Sequence, residues 1–169
     1  MSAHEETRAA FDPDVGHLIR QLRLLESIYF DRGGGERFYL TLVNARPGRL
    51  GLALDVPRAG KVMLAIDADR GRPRLHVCPE PDRELATRDV TPGVPVVVGG
   101  EDDTPFGITV VEARRDLLEL RFDVPSVGTV PIRFRLRHDR VRAEITAERA
   151  IRVVPTKRSA AVRTAHARS

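Results

Sequence analysis

Residues 37–56, RFYLTLVNARPGRLGLALDV, decide the fold that the sequence predicts. In each half of this stretch, apolar side chains alternate with more polar ones, a pattern typical of β-strands that bury one face. Between the halves lie Pro47, which fixes its own φ, and Gly48, which accepts a positive φ. We therefore expect an antiparallel hairpin whose apolar face is covered by the rest of the chain.

Composition predicts a globular protein of the cytoplasm. The chain has 169 residues, of which 41% are hydrophobic, and this is enough for one domain with a core. No apolar run approaches the roughly 20 residues of a membrane helix, and no signal-peptide pattern occurs at the start. The single Cys78 excludes an internal disulfide and agrees with a reducing compartment.

The beginning of the chain predicts an amphipathic helix. Asp12 suits an N-cap and Pro13 suits the first helical position. Apolar residues follow at positions 15, 18, 19, 22 and 25, which is helical spacing. We expect a helix of about three to four turns that packs on the remaining structure.

The rest of the chain predicts short strands with regular turns, typical of an antiparallel barrel or sandwich. A glycine triplet at 33–35 is expected to be a hairpin loop, since no helix N-terminus follows it to form a phosphate site. The proline-rich stretch 79–95 is expected to be a loop or hinge. Besides the hairpin, the predicted strands are 28–30, 61–66, 74–78, 94–98, 107–113, 117–124, 130–137 and 140–146.

Positive charge is concentrated in the last quarter of the chain. Residues 131–169 carry eleven Arg or Lys and three Asp or Glu, about +8, whereas the whole chain carries +4. Within this region one predicted hairpin has apolar residues on one face and a ladder of arginines on the other. The ladder consists of Arg133, Arg135, Arg137, Arg140 and Arg142.

Two interpretations of this ladder remain open. Like charges on neighbouring strands repel each other, so an anion or an acidic partner would stabilise the face. Alternatively, solvent screens the exposed arginines and nearby carboxylates balance them. A nucleic-acid surface usually adds exposed aromatic residues for base stacking, and no aromatic residue alternates with these arginines.

Enzyme motifs are missing from the sequence. No nucleophile elbow, zinc-protease motif or P-loop occurs, so we expect a protein that is not an enzyme and has no cofactor. His76 and Cys78 share a strand face, but zinc requires three or four ligands and no second cluster lies nearby in the sequence.

Residues 16–58, GHLIRQLRLLESIYFDRGGGERFYLTLVNARPGRLGLALDVPR, resemble the start of the N-terminal domain of bacterial flagellar brake proteins, the YcgR-like group. The resemblance lies in a helix, a strand, a glycine turn and two further strands, the last ending in Leu52-Ala53-Leu54-Asp55. It implies a split β-barrel that normally precedes a PilZ domain, the module that binds cyclic di-GMP. The expected fold is therefore mainly β (α+β), with an N-terminal amphipathic helix packed on a small antiparallel split β-barrel.

The same resemblance bears on nucleotide binding. The family holds cyclic di-GMP with an R-x-x-x-R linker, which Arg149 and Arg152 match with one residue too few between them, and Arg158 lies in a looser match. The family's second motif, D/N-x-S-x-x-G, is missing. Cyclic di-GMP is thus a possible ligand, and protein contacts fit this chain better.

The sequence yields a domain plan and two functional hypotheses. We expect a disordered leader at 1–11, one domain at 12–155 and a flexible basic tail at 156–169. The first hypothesis is a non-enzymatic bacterial regulatory or adaptor module that binds an acidic protein or cyclic dinucleotide through the arginine face and tail, and the resemblance suggests a link to cyclic di-GMP or motility signalling. The alternative is a small β-barrel that binds nucleic acid through the same arginines.

Overall fold

The structure is a computed structural model that describes residues 11–12, 17–68, 72–78, 86–99, 104–138 and 140–156. Within these residues the chain forms fourteen β-strands and no helix. The strands are β1 Phe11–Asp12, β2 His17–Leu22, β3 Ser27–Asp31, β4 Arg37–Arg46, β5 Arg49–Val56, β6 Gly60–Asp67, β7 Arg74–Cys78, β8 Ala86–Asp89, β9 Val96–Val98, β10 Phe106–Ala113, β11 Leu117–Val124, β12 Gly128–Leu136, β13 Val141–Thr146 and β14 Arg152–Thr156.

The strands build two antiparallel sheets of seven strands each. Sheet A has the order β1-β2-β13-β12-β11-β10-β9, and sheet B has the order β14-β3-β4-β5-β6-β7-β8. The chain passes from one sheet to the other between β2 and β3, between β8 and β9, and between β13 and β14. Since β2 pairs with β13 and β3 pairs with β14, two of these crossings run side by side.

The hairpin predicted at 37–56 is confirmed as β4 and β5, in the middle of sheet B. Arg46 pairs with Arg49 across a two-residue turn in which Gly48 has a φ of 79°. Every second residue of β5 is buried, as the alternation predicts. The hairpin therefore contributes one wall of the core.

One hydrophobic core lies between the two sheets. Phe38 of β4 in sheet B contacts Phe122 of β11 in sheet A, with ring centroids 5.4 Å apart. Both rings are fully buried, and they belong to a single cluster with the inward residues of both sheets. Aromatic rings at this distance add specific attraction to the gain from burial.

The predicted N-terminal helix is wrong where the structure describes it, because residues 17–22 form strand β2. Leu18 and Leu22 are four residues apart, a spacing that places them on one face of a helix and also on one face of a strand. Both are buried in the core. Pairing with β13 gives this segment backbone hydrogen bonds that a helix would have made internally.

A closed barrel does not form in the described part of the chain, and the strands remain two open sheets. The segments 23–26 and 147–151 interrupt the pairing where the chain turns from sheet A to sheet B. Leu25 in the first segment has a φ of 68°, and its N–H donates to the carbonyl of Leu42. The turn thus ends β2 and starts a new ladder in sheet B.

The other predicted strands are confirmed, with ends that shift by one or two residues. Besides β2, three strands lie where none was predicted, and the first of them, β1, pairs with β2. β8 occupies part of the expected hinge at 79–95 and pairs with β7, and β14 follows the linker-like segment and pairs with β3. Most of the predicted leader, residues 1–10, and of the predicted tail, residues 157–169, lies outside the described residues.

Candidate functional site

The β12–β13 hairpin carries its arginines on the outer side of sheet A. Ile132, Phe134 and Leu136 of β12 point into the core and are almost completely buried. The residues between them project outward, because successive side chains of a strand face opposite sides of the sheet. The turn and the return strand extend this surface, whose arginines are Arg133, Arg135, Arg137, Arg140 and Arg142.

A first row of residues across sheet A places an arginine between two glutamates. Arg133 lies opposite Glu119 of β11 on one side and opposite Glu144 of β13 on the other. Its Nε donates a 2.9 Å hydrogen bond to Glu119 Oε1, and its Nη1 lies 3.9 Å from Glu144 Oε2. The hydrogen bond to Glu119, and then the charge of Glu119, raise the pKa of Arg133. Arg133 is therefore held within the sheet surface.

A second row carries excess positive charge. Arg135 lies directly opposite Arg142, and Arg142 lies opposite Gln21 of β2. Glu144 reaches across to Arg135, whose Nε donates to Glu144 Oε1 over 3.0 Å. Within the described residues Arg142 makes no ion pair. Like charges opposite each other on neighbouring strands repel, so this row favours an added anion.

The end of the hairpin adds two more arginines. The N–H of Arg137 donates a 2.9 Å hydrogen bond to the carbonyl of Arg140, which brings both residues to the same end of sheet A. Arg137, like Arg142, has no ion pair among the residues that the structure describes. Among the described residues, positive charge therefore increases from the row of Glu119, Arg133 and Glu144 toward the end of the hairpin.

These arginines surround a groove of about 380 Å³ on sheet A, which we call the arginine groove. Its size lies in the range of small-molecule sites. One wall comes from the β12–β13 hairpin and the other from β2. The lining residues are Ile19, Arg20, Gln21, Arg135, Arg137, Arg140 and Arg142.

Sequence reasoning missed the wall that β2 supplies. A helix over this segment would have packed Ile19 into the core and turned Gln21 away from the arginines. In the strand, Ile19 and Gln21 instead share the outer face with Arg142. The available signal was the run RQLR at 20–23, in which three polar or basic residues surround one leucine. A segment this short fits both the helical period of 3.6 residues and the strand period of two residues.

The other predicted binding residues lie away from the arginine groove or outside the description. Arg152 of β14 belongs to sheet B, where its Nη2 donates a 3.2 Å hydrogen bond to Asp31 Oδ2. Arg149 lies exposed in the turn before β14. Neither residue lines the groove. Arg158 lies outside the described residues.

Asp31 is the centre of a second charged cluster, on sheet B. It is almost completely buried and accepts a 2.6 Å hydrogen bond from the N–H of Gly33. Arg37 lies 3.6 Å from the same carboxylate that binds Arg152. The Gly33 hydrogen bond first, and then Arg152 and Arg37, lower the pKa of Asp31 against the opposing effect of burial. This cluster joins β14, β3 and β4.

No metal centre is evident in the part of the chain that the structure describes, where no three His, Cys, Asp or Glu side chains come together. His76 Nδ1 lies 3.0 Å from Thr87 Oγ1 on the neighbouring strand, which accounts for its position. Over the same residues, no helix is long and apolar enough to cross a membrane.

Comparisons with known proteins add no relative. A scan against protein-family models, a search of curated proteins and a search of solved structures each find no match to this chain. The resemblance of residues 16–58 to the flagellar brake group therefore stays a prediction.

Proposed function

We propose that the protein is a non-enzymatic regulatory or adaptor module that binds an acidic protein segment in the arginine groove. The observation that carries this proposal is the convergence of five arginines on one groove, two of which, Arg137 and Arg142, make no ion pair within the described residues. Guanidinium groups bind carboxylates through paired, charge-assisted hydrogen bonds. A groove with several such groups selects a ligand with several carboxylates.

The lining also supports binding over catalysis. Its seven residues offer hydrogen-bond donors, one amide and one aliphatic side chain, and they include no nucleophile and no general base. Glu144, a carboxylate of the neighbouring row, is hydrogen-bonded to Arg135 and lies close to Arg133. The chemistry that these groups perform best is electrostatic recognition.

Nucleic acid is the alternative occupant, and the distribution of aromatic residues argues against it. Tyr29 and Tyr39 pack against each other on sheet B, with ring centroids 5.6 Å apart. Arg37 covers the Tyr29 ring at 4.4 Å. Base stacking requires an aromatic face next to the basic surface, and these rings lie on the other sheet.

Cyclic di-GMP remains the ligand that the flagellar brake resemblance suggests. In that case Arg149 and Arg152 should matter most, although Arg152 is already bound to Asp31. Binding to the arginine groove and binding to this linker thus depend on different arginines, which makes the two ligands separable by mutation. The composition predicts the cytoplasm and the resemblance predicts a role in bacterial signalling, and on these two grounds we place the protein in cytoplasmic bacterial signalling.

The test is a titration of the purified protein with a fluorescein-labelled polyglutamate peptide, followed by anisotropy. The double variant Arg137→Glu, Arg142→Glu should lose at least about tenfold in affinity for each arginine, since a hydrogen bond to a charged group contributes about 1.5–3 kcal/mol. Arg88→Glu, an exposed position on β8 of sheet B, is the matched control and should bind like the natural protein.

Two further titrations separate the alternatives. Saturable binding of cyclic di-GMP that is lost in Arg149→Ala with Arg152→Ala, and not in the groove variant, would transfer the function to the linker. Binding of duplex DNA that weakens steeply with salt and exceeds peptide binding would identify a nucleic-acid surface. Unchanged peptide binding by the groove variant, with the same circular dichroism spectrum, would refute the proposal.

A further inference from the structure

Four arginines of the arginine groove stand at the corners of a rectangle on the outer face of sheet A, which we call the arginine rectangle. Arg135 of β12 lies directly opposite Arg142 of β13. One step nearer the hairpin end, the N–H of Arg137 donates to the carbonyl of Arg140, so these two residues also face each other. Opposite residues start about 5 Å apart, and next-but-one residues of a strand about 6.7 Å apart. An arginine side chain is longer than half of either spacing, so all four guanidinium groups can reach one point above the centre.

The carboxylate that pairs with the arginine rectangle lies at its end away from the turn. Glu144 stands opposite Arg133, one row beyond the rectangle, and reaches back to accept a hydrogen bond from the Nε of Arg135. Arg137 and Arg142 make no ion pair within the described residues. The residues that line the arginine groove include no carboxylate. Because neighbouring like charges repel, the centre of the rectangle favours an anion that a ligand supplies.

A phosphate monoester suits this position better than a carboxylate. A carboxylate has a single charge and two oxygens in one plane, and one guanidinium group can bind both oxygens through parallel hydrogen bonds. A phosphorylated side chain carries about −1.5 to −2 charges at pH 7 and three acceptor oxygens around the phosphorus atom. It therefore accepts hydrogen bonds from several arginines at once, and the planar fork of arginine matches phosphate oxygens.

We propose that the acidic partner is a protein segment with a phosphorylated side chain, whose phosphate binds at the centre of the arginine rectangle. The proposal rests on the function proposed above and names the acidic group that the arginine groove prefers. Clusters of arginines bind phosphorylated motifs in a recurring mode of peptide recognition. Phosphorylation of the partner would then control its binding to this module.

The wall from β2 favours a peptide over a nucleotide as the carrier of the phosphate. Gln21 lies opposite Arg142, and Ile19 lies two residues before it on the same outer face. The amide of Gln21 can donate to and accept from a peptide main chain, and Ile19 can contact an apolar side chain of the segment. A nucleobase requires an aromatic face for stacking, and the groove lining contains no aromatic residue.

The experiment compares two fluorescein-labelled peptides of similar charge by anisotropy. One is Gly-Val-phosphoserine-Ala-Val-Gly and the other is Gly-Val-Glu-Glu-Val-Gly, each blocked at both ends. The phosphorylated peptide should bind at least about tenfold more tightly, because one hydrogen bond to a charged group is worth about tenfold or more in affinity. Each peptide carries about two negative charges, so net charge alone predicts equal affinities.

Lysine substitutions separate the geometry of the arginine rectangle from its charge. Arg137→Lys with Arg142→Lys keeps both positive charges and removes two guanidinium forks, so the affinity ratio of the two peptides should fall close to one. Arg88→Lys, at an exposed position on β8 of sheet B, is the matched control and should keep the ratio of the natural protein. Circular dichroism of each variant reports whether the fold is retained.

The other outcomes overturn one or both proposals. Equal affinities of the two peptides, with polyglutamate still bound, would overturn the phosphate proposal and leave the arginine groove proposal intact. A preference that survives both lysine substitutions would also overturn it, because the rectangle would not be its source. Phosphatidylcholine vesicles with phosphatidic acid present the same phosphate monoester, and tighter binding to them than to the phosphoserine peptide would replace the protein segment by a membrane surface. Failure of polyglutamate and of the phosphoserine peptide to bind would refute both proposals.

Discussion

A buried pair of hydroxyl groups joins β3 to β4 in sheet B. Ser27 and Thr41 lie opposite each other and are 0% and 2% exposed. Their oxygens are 2.6 Å apart, so one hydroxyl donates to the other. Each hydroxyl therefore has a partner that compensates for its removal from water.

This pair predicts a strong coupling between two substitutions. Thr41→Val alone should lower the free energy of unfolding by about 1–3 kcal/mol, because it leaves the Ser27 hydroxyl buried without that partner. Adding Ser27→Ala should cost little more or restore stability, since both polar groups are then gone. Urea unfolding of both single variants and the double variant measures the coupling. Strictly additive losses would contradict the role of the hydrogen bond.

The arginines show how far residue-level prediction reaches. Alternation along residues 132–137 was enough to predict which side chains of β12 face outward. It could not predict that Arg133 pairs with Glu119 and that Arg142 makes no ion pair within the described residues, because Glu119 lies on a different strand, 14 residues before Arg133. Charge balance on a sheet depends on strand register, and register is set by pairing between distant segments.

At the level of elements, the error over residues 17–22 has a definite cause. The expected helix and the observed strand both bury Leu18 and Leu22, so the apolar pattern alone does not separate them. What separates them is the unpaired edge of β13, which offers backbone hydrogen bonds over six residues. Leu25, which was predicted on the apolar helix face, then lies in the turn to sheet B, next to Leu24, which is 61% exposed.

The attachment of β14 to sheet B should depend on pH through Asp31. Because the pKa of Asp31 is lowered in the folded protein, the unfolded chain binds more protons over the intervening range. The stabilisation is therefore complete above about pH 5, beyond the ordinary aspartate pKa, and declines as pH falls toward the lowered pKa.

Asp31→Asn tests this dependence by thermal unfolding at several pH values. The variant should melt below the natural protein at pH 7, and the difference should shrink as pH falls from 5 to 3. Asp89→Asn is the control, since Asp89 pairs with Arg74 at an exposed site on β8 and such pairs contribute little. A difference for Asp31→Asn that stays constant with pH would show that the carboxylate charge is not responsible.

At the level of the whole molecule, the single core predicts that the two sheets unfold together. Phe122→Ala removes a fully buried ring from sheet A and should lower the free energy of unfolding by about 3–5 kcal/mol. Both tyrosines of the chain, Tyr29 and Tyr39, lie on sheet B. Their fluorescence should therefore report the same shifted midpoint in urea as circular dichroism. If Phe122→Ala left the urea midpoint of the tyrosine fluorescence unchanged, the two sheets would unfold separately.

The sequence by itself determined most of the strands, most of their turns and the arginine face of β12 and β13, because these follow from the strand period of two residues within short segments. Only the tertiary structure decided that β2 is a strand, that the sheets stay open over the described residues and that Ile19, Arg20 and Gln21 complete the arginine groove. The first and the last of these depend on pairing between β2 and β13, which are more than one hundred residues apart. Local periodicity carries no information about which distant strand edge is available, and that edge decides both the fold of residues 17–22 and the shape of the site.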